Sequence, residues 1–146
     1  MNKHIVVIGL ILGLVLLGLS GCTEIDTLDF EIDDIDIQHR TDWRIIEPEI
    51  ELPFEALFYI FNVTVKIENI GDTKGEVWVA AFITANNDKT IENSLDEDGS
   101  LYFIKSGEII TKIFLLEGYV DTTVEKFNVI VIADDYDRFE KSYTVD

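Results

Sequence analysis

Cysteine is almost absent from this chain. Its 146 residues include one, Cys22, so no disulfide framework can staple the fold, and stability has to come from a hydrophobic core. Histidine is scarce as well: of two, only His39 lies beyond the N-terminal segment. Zinc sites draw on several His or Cys ligands, which are missing. A serine–histidine–acid site would have to use His39, which sits in Gln38-His39-Arg40-Thr41, read as a turn with a solvated imidazole. Basic residues number 11 against 29 acidic ones, a formal charge of −18. Nucleic acid is therefore not expected as a partner, because phosphate binding needs basic clusters. Anionic lipid headgroups would also repel such a surface. No run is long enough for a transmembrane helix. The apolar stretch Ile5–Leu19 covers 15 residues, short of the roughly 20 that a bilayer requires. No cofactor is expected.

What the N-terminus does have is a secretory pattern: the weakly positive start Met1-Asn2-Lys3-His4, the apolar run, then Leu19-Ser20-Gly21-Cys22. Leu-Ser-Gly-Cys resembles the lipobox of prokaryotic lipoproteins. The resemblance implies cleavage before Cys22 and a two-chain lipid on its thiol. Small residues at 20 and 21 suit a peptidase cleft, and two acyl chains hold a protein stably to a bilayer where one does not. The expected division is a helical signal peptide over 1–21, a lipidated cysteine and polar tether over 22–28, and a folded domain over 29–146. The mature chain loses Lys3, leaving 10 basic residues against 29 acidic ones and a charge of −19. The expected location is the extracytoplasmic face of a cell membrane, held there through Cys22. An uncleaved anchor with an incidental cysteine is the alternative.

Beyond the tether, period-two alternation recurs in short blocks between turn residues. Strands are expected over Glu31–Ile37, Asp42–Glu47, Phe58–Glu68, Glu76–Thr84, Leu101–Ile104, Ile109–Leu116, Lys126–Ala133 and Phe139–Val145. Pro48 and Pro53 bracket an irregular crossing that continues to Leu57. Phe61, Val63, Val65 and Ile67 share one face, with Asn62, Thr64, Lys66 and Glu68 opposite. Glu76–Thr84 is apolar on both faces, the mark of a central strand. Asn86–Gly99 reads as a polar, acidic loop. The expected fold is all-β: an immunoglobulin-like antiparallel β-sandwich of about seven or eight strands, with a small closed barrel as the other candidate.

Val63-Thr64-Val65-Lys66-Ile67-Glu68-Asn69-Ile70-Gly71-Asp72, followed by Val77–Phe82, resembles the paired strands of prokaryotic surface immunoglobulin-like modules of the FxLYD and CARDB type. Lys105-Ser106-Gly107-Glu108 is similar to a proline-glycine-glutamate turn of the same modules, with serine in place of proline. The Phe-x-Leu-Tyr-Asp signature itself is absent. The resemblance implies adhesion, assembly or ligand display, with another protein or an envelope component as partner, and it carries over no catalytic residue.

Three features remain as candidates. Asn62-Val63-Thr64 is an N-glycosylation sequon whose asparagine has outward parity but a mid-strand position. Ser94-Leu95-Asp96-Glu97-Asp98-Gly99 resembles the start of an EF-hand loop, but serine stands first and Lys105 occupies the place of the final glutamate. With the acidic turn Asp134, Asp135 and Asp137, Asp96 and Asp98 make a candidate for weak Ca²⁺ binding; solvated acidic turns are the alternative. Leu52–Tyr59 places apolar residues beside the prolines, as a cover for one end of the core or, if Phe54 and Tyr59 are exposed together, as a contact patch. The expected role is a non-catalytic surface module. A small hydrolase with a carboxylate site is the rival, and buried acids gathered in a pocket would favour it.

Overall fold

A computed structural model of the chain describes residues 27–87 and 97–146, the first two residues after the gap by their backbone alone. The expected signal peptide and its expected helix, and Cys22, lie outside the described residues. Seven strands follow in order: β1 (Phe30–Ile46), β2 (Phe54–Asn69), β3 (Gly75–Ala85), β4 (Glu97–Ile104), β5 (Ile109–Val120), β6 (Lys126–Ala133) and β7 (Asp137–Thr144). They form two antiparallel sheets, one ordered β1-β2-β5 and the other β4-β3-β6-β7. Among the described residues no strand pairs from one sheet to the other, so the fold is a sandwich rather than a closed barrel. The topology is immunoglobulin-like, with β4 on the edge of the four-stranded sheet instead of beside β5.

The alternating faces account for the core. Phe61, Val63, Val65 and Ile67 of β2 meet Val77, Val79, Ala81 and Ile83 of β3 together with Phe127, Val129 and Val131 of β6, all fully buried or nearly so. β3 is central, flanked by β4 and β6, as its two apolar faces lead one to expect. Asn128 and Ile130 point away from this core, yet both are buried; the central strands of the four-stranded sheet bury their second face too.

Three readings of the sequence need correction. The segments Glu31–Ile37 and Asp42–Glu47 are one strand. Gln38, His39, Arg40 and Thr41 continue its ladder against Asn62, Phe61, Ile60 and Tyr59. Their polar character resembles a turn, but an edge strand tolerates polar and charged residues on both faces. The irregular crossing is shorter than expected, since Phe54–Leu57 already belongs to β2. The acidic loop after Asn86 ends earlier, because Glu97, Asp98 and Gly99 pair with Phe82, Ala81 and Ala80.

One end of the sandwich is tied by Asn69, which is fully buried. Its Nδ2 donates to the carbonyls of Thr73 (2.8 Å) and Ile104 (3.0 Å), and its Oδ1 accepts from the Gly71 amide (3.0 Å). Its own carbonyl accepts from Gly107 (2.8 Å). A single side chain thus joins the β2–β3 and β4–β5 turns, which explains why asparagine ends this strand. Gly71 is required by the N-terminal segment: a Cβ there would stand 2.4 Å from the Thr27 carbonyl and 2.6 Å from the Asp29 amide. Four amides, of Ile70, Gly71, Asp72 and Thr73, donate to the carbonyls of Asp29 and Thr27. Thr27–Asp29 is therefore docked, not a free tether. In the neighbouring turn Gly107 takes a φ of 71°, open to glycine without strain, and the Glu108 carboxylate accepts from the Lys105 amide.

Candidate functional site

β1 and β2 are 17 and 16 residues long, twice the length of β6 and β7 at 8 each. At about 3.3 Å per residue β1 runs about 55 Å. The excess lies at the end away from Asn69, where Asp42–Ile46 pairs with Phe54–Phe58. Alternation still operates there, but the second sheet does not reach that far. Trp43 and Ile45 carry core-facing parity and nevertheless stand 67% and 65% exposed; Ile50 and Leu52, in the connection, are 96% and 86% exposed. Phe54 is also exposed.

The base of this hairpin arm is clamped. Arg44 on β1 reaches across β2 to β5 and donates from Nη1 and Nη2 to the two carboxylate oxygens of Glu117, at 2.8 and 3.1 Å. Its Nε donates to Asp42 (3.1 Å), and its guanidinium sits 4.9 Å over the Phe58 ring. The hydrogen bonds to Glu117, then to Asp42, push the guanidinium pKa still higher, so its charge is permanent. Beyond the clamp an open groove of about 500 Å³ is lined by Ile46, Pro48, Glu49, Ile50, Phe54 and Tyr119.

The residues singled out from the sequence are dispersed. Asn62 lies mid-strand on the outer face of the three-stranded sheet, exposed between Gln38 and Leu115. His39 is in β1, not a turn; its ring stacks on Phe61 at 6.0 Å and tilts against Tyr143 at 5.0 Å, at the open rim of the core. Asp96 lies outside the described residues, and Asp98 is known by its backbone in β4. Asp134, Asp135 and Asp137 form the β6–β7 turn. Asp134 Oδ2 accepts from the Trp78 amide (2.6 Å) and Asp137 Oδ2 from Ile32 (3.0 Å). β3 ends beside the start of β6, whereas this turn follows its end, so the β3 exit and the acidic turn stand at opposite ends of the sheet. Among the described residues no three His, Cys, Asp or Glu side chains gather as a metal site. Tyr59 is buried, so it and Phe54 are not exposed together.

The sequence reading included Leu52 in the segment Leu52–Tyr59 but did not select Trp43, Ile45 or Ile50. The available signal was Glu47-Pro48-Glu49-Ile50-Glu51-Leu52-Pro53, where glutamate alternates with apolar residues between prolines.

No family model matches the chain, and no curated protein matches it. Solved structures do resemble it. A β-D-glucoside glucohydrolase from Trichoderma reesei aligns with a TM-score of 0.52 and 16% identity over 84% of this chain and 19% of that one. A β-glucosidase from Kluyveromyces marxianus gives 0.43 and 14% over 84% of this chain and 14% of its own. The β-glucosidase DesR from Streptomyces venezuelae gives 0.37 and 13% over 76% and 15%. The chain thus spans less than a fifth of those proteins, and at such identity the likeness to the Trichoderma enzyme is one of fold alone: a β-sandwich domain.

Proposed function

We propose that this chain is a membrane-tethered, non-catalytic surface module that presents a β-sandwich to another protein of the cell envelope. The observation that carries this reading is where the polar groups lie. Among the described residues the buried polar side chains are Asn69, Thr84 and Asn128, all held in hydrogen bonds. Every carboxylate whose side chain is described is at least partly exposed, where a general acid of a hydrolase is expected in a buried site. A hydrolase of the carboxylate type needs two acids at a set separation in a cleft, and the core here is filled with apolar residues. The polarity of the fold agrees with display. Cys22 precedes docked Thr27 by five residues, a reach of at most about 18 Å. A lipid on Cys22 would hold the Asn69 end near the bilayer and direct the hairpin arm outward.

The test is mass analysis of the membrane fraction together with protease treatment of intact cells. Wild-type chain is expected to begin at a diacylated Cys22 and to be shaved from the surface; Cys22→Ser is expected to stay unprocessed. An unmodified Cys22 on a full-length wild-type chain would overturn the tethered reading.

A further inference from the structure

We propose that the hairpin arm is the docking surface for a basic protein segment in which apolar side chains are interleaved with arginine or lysine. The biological setting rests on the display reading above; the chemistry rests on the arm alone. Large apolar side chains scattered singly over a surface are ordinary, but three exposed beside an apolar groove on one projecting element form a contact patch. Ile50, Leu52 and Phe54 are such a group, while Trp43 and Ile45 stand exposed on the opposite face of the arm, and the groove between Ile46, Ile50, Phe54 and Tyr119 offers a concave seat for one of the partner's apolar residues.

Charge selects the occupant. Glu47, Glu49, Glu51 and Glu55 fall within nine residues that contain no lysine or arginine. The cation at the base, Arg44, is already engaged by Glu117 and Asp42. The patch is therefore apolar with an acidic rim and no neutralising base of its own. A second copy would set the same four carboxylates against themselves, and a bilayer of anionic lipid would be repelled, because like charges brought together at an interface oppose association. Guanidinium or ammonium groups would instead meet the rim while apolar neighbours cover Ile50 and Leu52. The Arg44 clamp holds the arm to β5, so little order has to be imposed on binding.

The test uses the full-length chain, purified as cells make it into neutral detergent micelles, and a short fluorescein-labelled peptide of alternating arginine and leucine, read by anisotropy. Comparison peptides alternate arginine with serine and glutamate with leucine. The arginine–leucine peptide should bind best. Ile50→Ser with Leu52→Ser should weaken it by about tenfold or more, as loss of a central apolar anchor does. Glu49→Gln with Glu51→Gln should weaken it several-fold and flatten its salt dependence. Leu101→Ser with Phe103→Ser, exposed on β4, should bind as wild type. Ile50 and Leu52 are almost wholly exposed, so an unchanged melting temperature is expected and separates lost binding from lost folding. Equal binding of the arginine–serine peptide, indifference to the arm substitutions, or equal loss from the β4 pair would overturn the proposal. So would a dimer abolished by Ile50→Ser with Leu52→Ser, which assigns the arm to a second copy, or binding to phosphatidylglycerol vesicles through the same residues. None of these outcomes depends on the state of Cys22: an unmodified cysteine removes the display reading and leaves the arm, and an arm blind to the probe removes the docking surface and leaves the display reading.

Discussion

Replacing Asn69 by alanine isolates what one buried side chain does for the end of this sandwich. Asn69 makes three hydrogen bonds, to the carbonyls of Thr73 and Ile104 and from the amide of Gly71. All three partners are backbone groups held by other contacts, so none can turn to find a substitute. Gly71 keeps a second acceptor in the Asp29 carbonyl; the two carbonyls lose a donor inside the fold. At about 1 kcal/mol per net hydrogen bond, the expected loss is about 2–3 kcal/mol. For a domain near this size, with an unfolding entropy of about 2.1 cal/mol/K per residue, that lowers the melting temperature by roughly 8–12 °C. Asn128→Ala is the control. Asn128 is equally buried, but its partners are the side chains of Thr84, Asn87 and Ser142. Asn87 and Ser142 are exposed and can turn to water, so a loss of about 1 kcal/mol is expected. Asn69→Asp adds a test of sign. It sets a carboxylate against two carbonyls, which raises its folded-state pKa above the unfolded value, so the damage should be least in acid and grow as pH rises through the unfolded pKa of about 3.9. The assay is urea and thermal unfolding of the fragment from Thr23 to Asp146. A cost below about 1 kcal/mol for Asn69→Ala, or a larger cost for Asn128→Ala, would refute the account of the tie.

Two further outcomes can be stated. The Asp121 carboxyl is held below its usual pKa by the hydroxyl and amide of Thr123 and by the Val124 amide. Its contribution is therefore present above the unfolded value of about 3.9 and lost as pH falls through the folded one. Asp121→Asn should lower stability slightly at neutral pH and shrink the loss in that acid window; an unchanged acid limb in a pH series of melting curves would contradict this. For calcium, Asp134 and Asp137 already accept backbone amides, and β3 exits at the opposite end of the sheet from them. Millimolar Ca²⁺ is expected to raise the melting temperature no more than sodium chloride of equal ionic strength, and an excess effect of Ca²⁺ would restore the acidic turns as a site.

Much of the fold could be read from side-chain parity. Phe61, Val63, Val65 and Ile67 alternate with polar residues because only one face of β2 is buried, and β3 lacks the alternation because Ala80 and Thr84 on its second face are buried too. Parity is a local property, so it survives in the sequence without knowledge of the partner strand. Gln38–Thr41 was illegible for the complementary reason. An edge strand exposes residues on both faces, and a polar run there looks the same whether the chain turns or continues. Ile130 marks the limit of parity, since pointing away from the core does not ensure exposure.

The sequence by itself determined the all-β class, the strand faces, the absence of disulfides and the acidic surface, because each follows from residue identity or from period-two spacing. It also holds the lipobox-like Leu19–Cys22, a motif read by residue type alone. Only the tertiary structure decided that β4 joins the four-stranded sheet, that Asn69 ties two turns 35 residues apart through Ile104, and that Trp43 and Ile45 stand in the open. Trp43 has the same parity as the buried Tyr59 of the neighbouring strand. Its exposure arises because β1 and β2 outrun the opposite sheet, and the length of one sheet relative to the other is a relation between distant segments that no local pattern records.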